Sequence, residues 1–283
     1  MGYIDLHVHT TASDGALPPS ELVRYAKEKG LKTIAITDHD TVDGNIEALK
    51  EGARIGLEVI PGVEISVECP YGTMHMLGHF IDIDNGLLKE SLEFLQRMRS
   101  ERNIKILDRL KKLGMAIEFS DVLKMSGGGQ IGRPHFAKAI VKGGYAETYQ
   151  EAFDRFLKKG ASAYVDKVRF SPEKAIGLIL KSKGIPVLAH PYTMNGFSKG
   201  EFEDFFIQLI ELGLKGIEAY YPEHTDEQIS YYKYLAEKHR ILITGGSDYH
   251  GNNKPGGDIG CYKGNMELSI TLIEDMRRLR DNI

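Results

Sequence analysis

Seven short apolar runs, most of them separated by helix-length amphipathic stretches, constrain this chain more than any other feature. They are Tyr3–Val8, Lys32–Thr37, Leu57–Val67, Met74–Ile81, Ile185–Ala189, Gly216–Tyr220 and Ile241–Thr244. Most are rich in Ile, Val and Leu and are bounded by Gly or Pro, which suits strands buried on both faces. Helical patterns lie at Pro18–Lys29, Asn45–Gly56, Pro172–Lys183, Glu201–Leu212 and Asp226–His239. Ser20-Glu21 and Ser171-Pro172-Glu173 read as helix starts, Pro being tolerated in a first turn. Strand alternating with helix implies the α/β class and a mostly parallel sheet.

The alternation stops between about Gly86 and Gly160. There the pattern is helical only, at Leu87–Leu113, Phe119–Met125, Pro134–Lys142 and Thr148–Leu157, with a hinge or loop at Ser126–Gly129. Setting that stretch aside from 283 residues leaves about 208, a size at which one barrel closes. The expectation is a barrel domain built from residues 1–85 and 161–283, with a helical insertion domain at 86–160.

Charge narrows the partners. With 36 Lys+Arg against 40 Asp+Glu, the net charge of −4 excludes a broad electrostatic grip on duplex nucleic acid or an anionic membrane. An anion would need a local source of positive charge. Two cysteines, Cys69 and Cys261, supply neither a disulfide framework nor a cysteine-rich zinc module. No apolar run reaches the roughly 18 residues of a membrane span, and Met1–Leu6 lacks the features of a signal peptide. A soluble, cytoplasmic protein is expected.

The histidines fall where a barrel keeps its chemistry, at the ends of strands. In Asp5-Leu6-His7-Val8-His9, strict alternation would put Asp5, His7 and His9 on one face, two imidazoles forming a metal clamp. The bland alternative is an edge strand with solvent-facing histidines. Thr37-Asp38-His39-Asp40 follows the next run, although Asp40 or Thr41 also suits a helix cap. Glu64 stands inside an apolar strand, where a lone carboxylate is costly and a cation is an economical partner. His75 and His79 share a run but would sit about 13 Å apart on a strand, so one ion takes only one of them, and His75 is favoured. His190 ends another run before Pro191, and Asp248 and His250 follow the last. Asp14 lies in the loop leaving the first strand, from which a side chain can return over the barrel mouth.

These nine residues, His7, His9, Asp14, His39, Glu64, His75, His190, Asp248 and His250, are too many for one ion and suit two or three. Imidazole with carboxylate and no thiolate fits Zn²⁺, Mn²⁺ or Fe²⁺ without separating them. Several divalent ions would also supply the positive charge that an anion needs in an acidic protein.

The motifs Asp5–Gly15, Thr37–Asp40, Pro61–Glu64, Ala189–Pro191 and Ser247–His250 resemble the polymerase and histidinol phosphatase (PHP) family across nearly the whole chain. Ser13-Asp14-Gly15, Leu17–Leu22 and Ile131–His135 are most similar to its nucleoside 3′,5′-bisphosphate phosphatase branch, which includes enzymes that trim RNA from the 5′ end. The resemblance implies a distorted (β/α)₇ barrel with a helical insertion and a trinuclear metal centre. One metal would take His7, His9, Glu64 and Asp248; a second would share Glu64 and take His75 and His190; the third would take Asp14, His39 and His250. Arg133 and His135 would contact substrate phosphate, a guanidinium being able to grip it through two parallel hydrogen bonds; the plainer reading of that stretch is a helix start at Pro134. The implied activity is hydrolysis of phosphomonoesters, nucleoside 3′,5′-bisphosphates first and short 5′-phosphorylated RNA second. A water held between two ions would lose its proton near neutral pH and attack phosphorus. Asp38 and His79 are the candidates for protonating the leaving alcohol, and Asp5 for orienting a histidine. Tyr220, Tyr221 and His224 either line the substrate pocket or pack the rim.

Three rivals share part of this pattern. Histidinol-phosphate phosphatase is close in mechanism, but the first-strand loop lacks that branch's usual residues. A metal amidohydrolase also begins with His-x-His, but commonly bridges its ions with a carboxylated lysine where Glu64 stands here. An accessory or proofreading module of a polymerase is disfavoured because the chain ends shortly after its last ligand and the donor set is complete. Gly127–Gly132 satisfies G-x-G-x-x-G, but it follows a helical stretch, which argues against a dinucleotide site, and there is no P-loop.

Overall fold

The computed structural model describes residues 3–126, 129–253, 257–261 and 268–280. Part of the glycine run, Gly127 and Gly128, therefore lies outside the described residues. The chain divides into two compact units, residues 1–91 with 169–283, and residues 92–168.

The first unit is a nearly closed barrel. Its strands are β1 (Tyr3–Val8), β2 (Leu31–Ile36), β3 (Glu58–Val67), β4 (Met74–His79), β5 (Ile185–Leu188), β6 (Gly216–Tyr220), β7 (Leu242–Gly245) and a two-residue β8 (Leu268–Ser269). They lie in the order β7-β6-β5-β4-β3-β2-β1-β8. Helices α1 (Pro19–Glu28) and α2 (Asp43–Ile55) cross over between parallel strands β1, β2 and β3. Helix α1 buries Leu22, Val23 and Ala26, one stripe at helical spacing, and α2 stops at Gly56, whose φ of 70° is the left-handed cap that glycine adopts freely.

The parallel expectation fails at one strand. β4 runs antiparallel to both β3 and β5. Only residues 68–73 separate β3 from β4, too few for a crossover helix, so the chain must turn back as a hairpin. Helices α7 (Pro172–Lys181), α8 (Lys199–Glu211) and α9 (Asp226–His239) serve the second half, where β5, β6 and β7 are parallel. Ser171 accepts the Lys174 N–H at the start of α7. Ser198 with Glu201 and Thr225 with Gln228 form capping boxes on α8 and α9. Strand β8 and a closing helix, α10 in chain order (Thr271–Arg280), have no counterpart in the sequence reading; β8 is too short to show a period.

Two apolar layers hold the barrel. Ile4, Leu6, Ala35, Ile60, Leu77, Ile185 and Val187 fill the interior. Val8, Ile34 and Ile36 pack outward against Leu22, Val23, Ala26 and Ala48 of α1 and α2. The seam closes where Val8 bridges Tyr249 in parallel and the His9 N–H donates to the Tyr249 carbonyl at 3.0 Å. Gly246 permits this approach: a Cβ there would lie 2.1 Å from the His7 Cβ.

The second unit is helical among its described residues. It holds the larger part of α3 (Gly86–Lys112), then α4 (Phe119–Ser126), α5 (Arg133–Lys142) and α6 (Tyr149–Ala152), the last continuing into a wider turn over Phe153–Leu157. It has its own core, including Ile106, Leu110, Val122, Phe136, Ile140 and Leu157. No helix among the described residues is long and apolar enough to cross a membrane.

Candidate metal centre

Strand β1 delivers two imidazoles through a bulge. Asp5 pairs with Ile34 and Val8 with Ile36, so three steps along β1 match two along β2. Leu6 packs inward and Val8 outward, and the extra residue between them lets His7 also face the interior. Simple alternation therefore does not hold, and Asp5 orients no imidazole ring. Its carboxylate accepts the Ser247 N–H at 2.9 Å, the Ser247 hydroxyl at 2.5 Å, the Gly260 N–H at 2.8 Å and the His7 N–H at 3.2 Å. It pins β1 to the chain that follows β7.

His39 follows β2 and bridges Glu64 of β3 in parallel register. The Glu64 N–H donates to the Asp38 carbonyl at 3.1 Å, and the Asp40 N–H to the Glu64 carbonyl at 2.8 Å. Because β4 is reversed, its first residues lie at the barrel end where the parallel strands finish. His75, opposite Ser66, is thereby at the mouth, whereas His79, opposite Gly62 in the middle of β3, lies four residues deeper. There the His79 Nε2–H donates to the Leu6 carbonyl at 2.8 Å. His190 and Asp248 follow β5 and β7 with φ of 25° and 51°, left-handed backbone in non-glycine residues. Such strain concentrates at sites that the surrounding structure over-determines.

Glu64 is the hub of the side chains so placed. Its Oε1 lies 2.8 Å from His75 Nδ1 and 2.9 Å from His190 Nε2. Its Oε2 lies 2.9 Å from His39 Nδ1, 3.3 Å from His9 Nε2 and 3.4 Å from His7 Nε2. Asp248 Oδ1 is 3.0 Å from His9 Nε2 and 3.4 Å from His7 Nε2. Asp14 stands 3.2 Å from His250 Nε2, 3.8 Å from His9 Nδ1 and 3.9 Å from His39 Nε2. Three donor sets result: His7, His9, Glu64 and Asp248; His39, Glu64 and His75, with His190 beside them; and His9, Asp14, His39 and His250.

These sets suit divalent ions. His7 Nε2, His9 Nε2 and Glu64 Oε2 are buried and make no hydrogen bond, a costly state unless something else occupies the space between them. Bonds of about 2.0–2.2 Å to four tetrahedral donors separate those donors by about 3.4 Å, close to the 3.0–3.4 Å spacings between the two imidazoles and the two carboxylates. Burial lowers His9 to about 3, helped by His250 and His39. Burial also lowers His75 to about 4 against the pull of Glu64. Both rings are thus neutral near pH 7 and offer lone pairs. Burial opposes ionisation of Glu64, but His39, His75 and His7 outweigh it and hold the carboxyl well below its ordinary range.

The remaining candidates are held by hydrogen bonds and ring contacts of their own. Asp38 is fully buried, and its carboxylate accepts the Thr10 N–H and hydroxyl, each at 2.8 Å, and the Ser13 hydroxyl at 2.6 Å. It braces the loop that carries Asp14. Tyr221 is buried with its hydroxyl donating to Asp248 Oδ2 at 2.8 Å, and His224 donates Nδ1–H to the Ala219 carbonyl at 2.9 Å. Both are packed into the rim, while Tyr220 lies beneath the Lys233 ammonium. In the helical unit, the His135 Nδ1 accepts the Gly132 N–H at 2.9 Å, and the Arg133 guanidinium lies over Phe153 and Tyr164 and donates to the Leu157 carbonyl at 3.2 Å.

One residue was overlooked. Glu218, in Gly216-Ile217-Glu218-Ala219-Tyr220, is fully buried, with Oε1 3.0 Å from His7 Nδ1 and Oε2 accepting the His190 N–H at 2.8 Å. The signal was the one that marked Glu64, a carboxylate inside an apolar strand.

Comparison with known proteins agrees with this geometry. The PHP domain model matches residues 5–251. A 3′,5′-nucleoside bisphosphate phosphatase of Chromobacterium violaceum is 32% identical over 263 residues, 92% of this chain and 91% of the relative. The 5′-3′ exoribonuclease Rnm of Escherichia coli is 34% identical over 260 residues, 87% of this chain and 84% of the relative. A solved structure from Bifidobacterium adolescentis, assigned as a metal-dependent phosphoesterase, superposes with a TM-score of 0.83 at 30% identity, covering 99% of this chain and 96% of that one. Buried imidazoles and carboxylates gathered at a barrel mouth, in a chain matched by that family along most of its length, make this protein a member of the PHP family and a metal-dependent phosphoesterase.

Proposed function

We propose that the enzyme hydrolyses phosphomonoesters of nucleoside 3′,5′-bisphosphates, with short 5′-phosphorylated RNA as a related substrate. The observation that carries this reading is the Glu64-centred donor cluster in a chain about one-third identical to a bisphosphate phosphatase and an exoribonuclease. His7, His9, Glu64 and Asp248 would hold one divalent ion, Glu64, His75 and His190 a second, and Asp14, His39 and His250 a third. When bound, Mn²⁺, Fe²⁺ or Zn²⁺ ions acidify a water and offset the charge of phosphate oxygens. Glu64 would be shared between the first and second sets, whereas Asp248 would complete the first with His7 and His9. Arg133 and His135 are proposed contacts of the substrate phosphate, the guanidinium matching two phosphate oxygens. Asp38 and His79 are committed to internal hydrogen bonds, so neither is assigned the protonation of the leaving group.

A phosphate-release assay with Mn²⁺ tests this, comparing adenosine 3′,5′-bisphosphate, short 5′-phosphorylated RNA, histidinol phosphate and an aryl phosphate. The bisphosphate is expected to give the highest kcat/KM, at least about tenfold above histidinol phosphate, a difference of about 1.4 kcal/mol in transition-state binding. Histidinol phosphate as the best substrate, or no release from any nucleotide, would overturn the proposal.

A further inference from the structure

We propose that Glu218 is a positioning residue that sets two parts of the metal centre together, choosing the nitrogen that His7 presents and fixing the backbone from which His190 projects. The inference rests on the proposed metal centre. A carboxylate buried in the middle of β6, between Ile217 and Ala219, is costly to keep there without a task. Its two oxygens are divided between two donors on different strands, His7 Nδ1 at 3.0 Å and the His190 N–H at 2.8 Å.

The first contact decides the imidazole tautomer. With Nδ1–H donated to Glu218, the lone pair of His7 is on Nε2, the atom that lies 3.4 Å from both Glu64 and Asp248. The second contact holds His190 at φ 25° and ψ 63°, a conformation that a non-glycine residue adopts only when held. From there His190 Nδ1 reaches the Thr193 hydroxyl at 3.2 Å and Nε2 faces Glu64 Oε1 at 2.9 Å. The two rings lie nearly parallel, their centroids 5.7 Å apart. One side chain thus spaces a donor of one set from a donor of another. An amide at 218 could accept from only one of the two groups and would turn an N–H toward the other, so Glu218→Gln disturbs both sites with little change in volume.

The test titrates metal-free wild type, Glu218→Gln and Glu218→Asp with Mn²⁺ and records the visible absorption of the Co²⁺-loaded forms. Glu218→Gln is expected to bind Mn²⁺ about 10–100-fold more weakly, to show altered Co²⁺ bands, and to recover kcat as Mn²⁺ is raised, with KM for an aryl phosphate within about twofold of wild type. Should the variant fail to fold, imidazole nitrogen resonances of the Zn²⁺-loaded wild type give the same answer, the expected result being His7 metal-bound at Nε2 and protonated at Nδ1. Unchanged Mn²⁺ affinity and Co²⁺ bands in Glu218→Gln, or His7 bound through Nδ1, would overturn the role of Glu218 alone. A wild type that takes up neither Mn²⁺ nor Co²⁺ would overturn the metal centre and this inference with it.

Discussion

A carboxylate in an apolar strand needs a partner, and Glu64 has five imidazoles within 3.4 Å. Glu64→Gln keeps the shape but removes the charge shared between donor sets, so bound metal and turnover should both fall by about 100-fold or more. Asp248→Asn should do the same through His7 and His9. Metal analysis and phosphate release check both variants, and unchanged values in either contradict the assignment. Glu64 was legible from its apolar neighbours, and the same reasoning applied to Glu218 would have found it. The direction of Asp5 was not legible, because a bulge that shifts β1 by one residue leaves no mark in an alternating pattern.

His79 supports a second prediction at this scale. Burial lowers its imidazole to about 4, below an ordinary value of about 6.5. Its neutral form therefore contributes stability that is present above about pH 6.5 and is lost as pH falls toward 4. In metal-free protein, the gap in unfolding free energy between wild type and His79→Gln should narrow by about 2 kcal/mol between pH 7 and pH 5. Urea denaturation at the two pH values measures it, and a gap independent of pH contradicts the account.

At the scale of elements, the reversal of β4 decides which of two histidines joins the centre. Six residues between β3 and β4 already implied a hairpin, so that part of the topology was available from spacing alone. The closing contact between β1 and β7 was not, since it depends on Gly246 lying against His7. Gly246→Ala places a methyl 2.1 Å from the His7 Cβ, too close for either to stay. It should destabilise the barrel by about 3 kcal/mol and weaken Mn²⁺ binding as well, because the seam carries His7, His9 and Asp248. Thermal melting with and without Mn²⁺ follows both effects; a substitution that leaves both unchanged shows that the seam is looser than described.

For the whole molecule, the absence of strand patterns from about Gly86 to Gly160 revealed a helical segment, whereas the compact units divide at 91/92 and 168/169. One division falls within α3, a continuous helix from Gly86 to Lys112 whose periodicity gives no sign of it. None of the nine donors lies between residues 92 and 168. Metal addition should therefore raise amide-exchange protection in residues 1–91 and 169–283 and leave the helical unit unchanged; protection gained equally in both units would contradict a centre built from the barrel alone. The charge of −4 also becomes intelligible, since the positive charge for a phosphate would come from ions and not from the surface. Diffraction from Mn²⁺-soaked crystals at the manganese absorption edge tests the central claim most directly. Anomalous peaks are expected among His7, His9, Glu64 and Asp248 and beside His75, His39 and His250; a map with no peak within bonding distance of Glu64 or Asp248 would contradict the account.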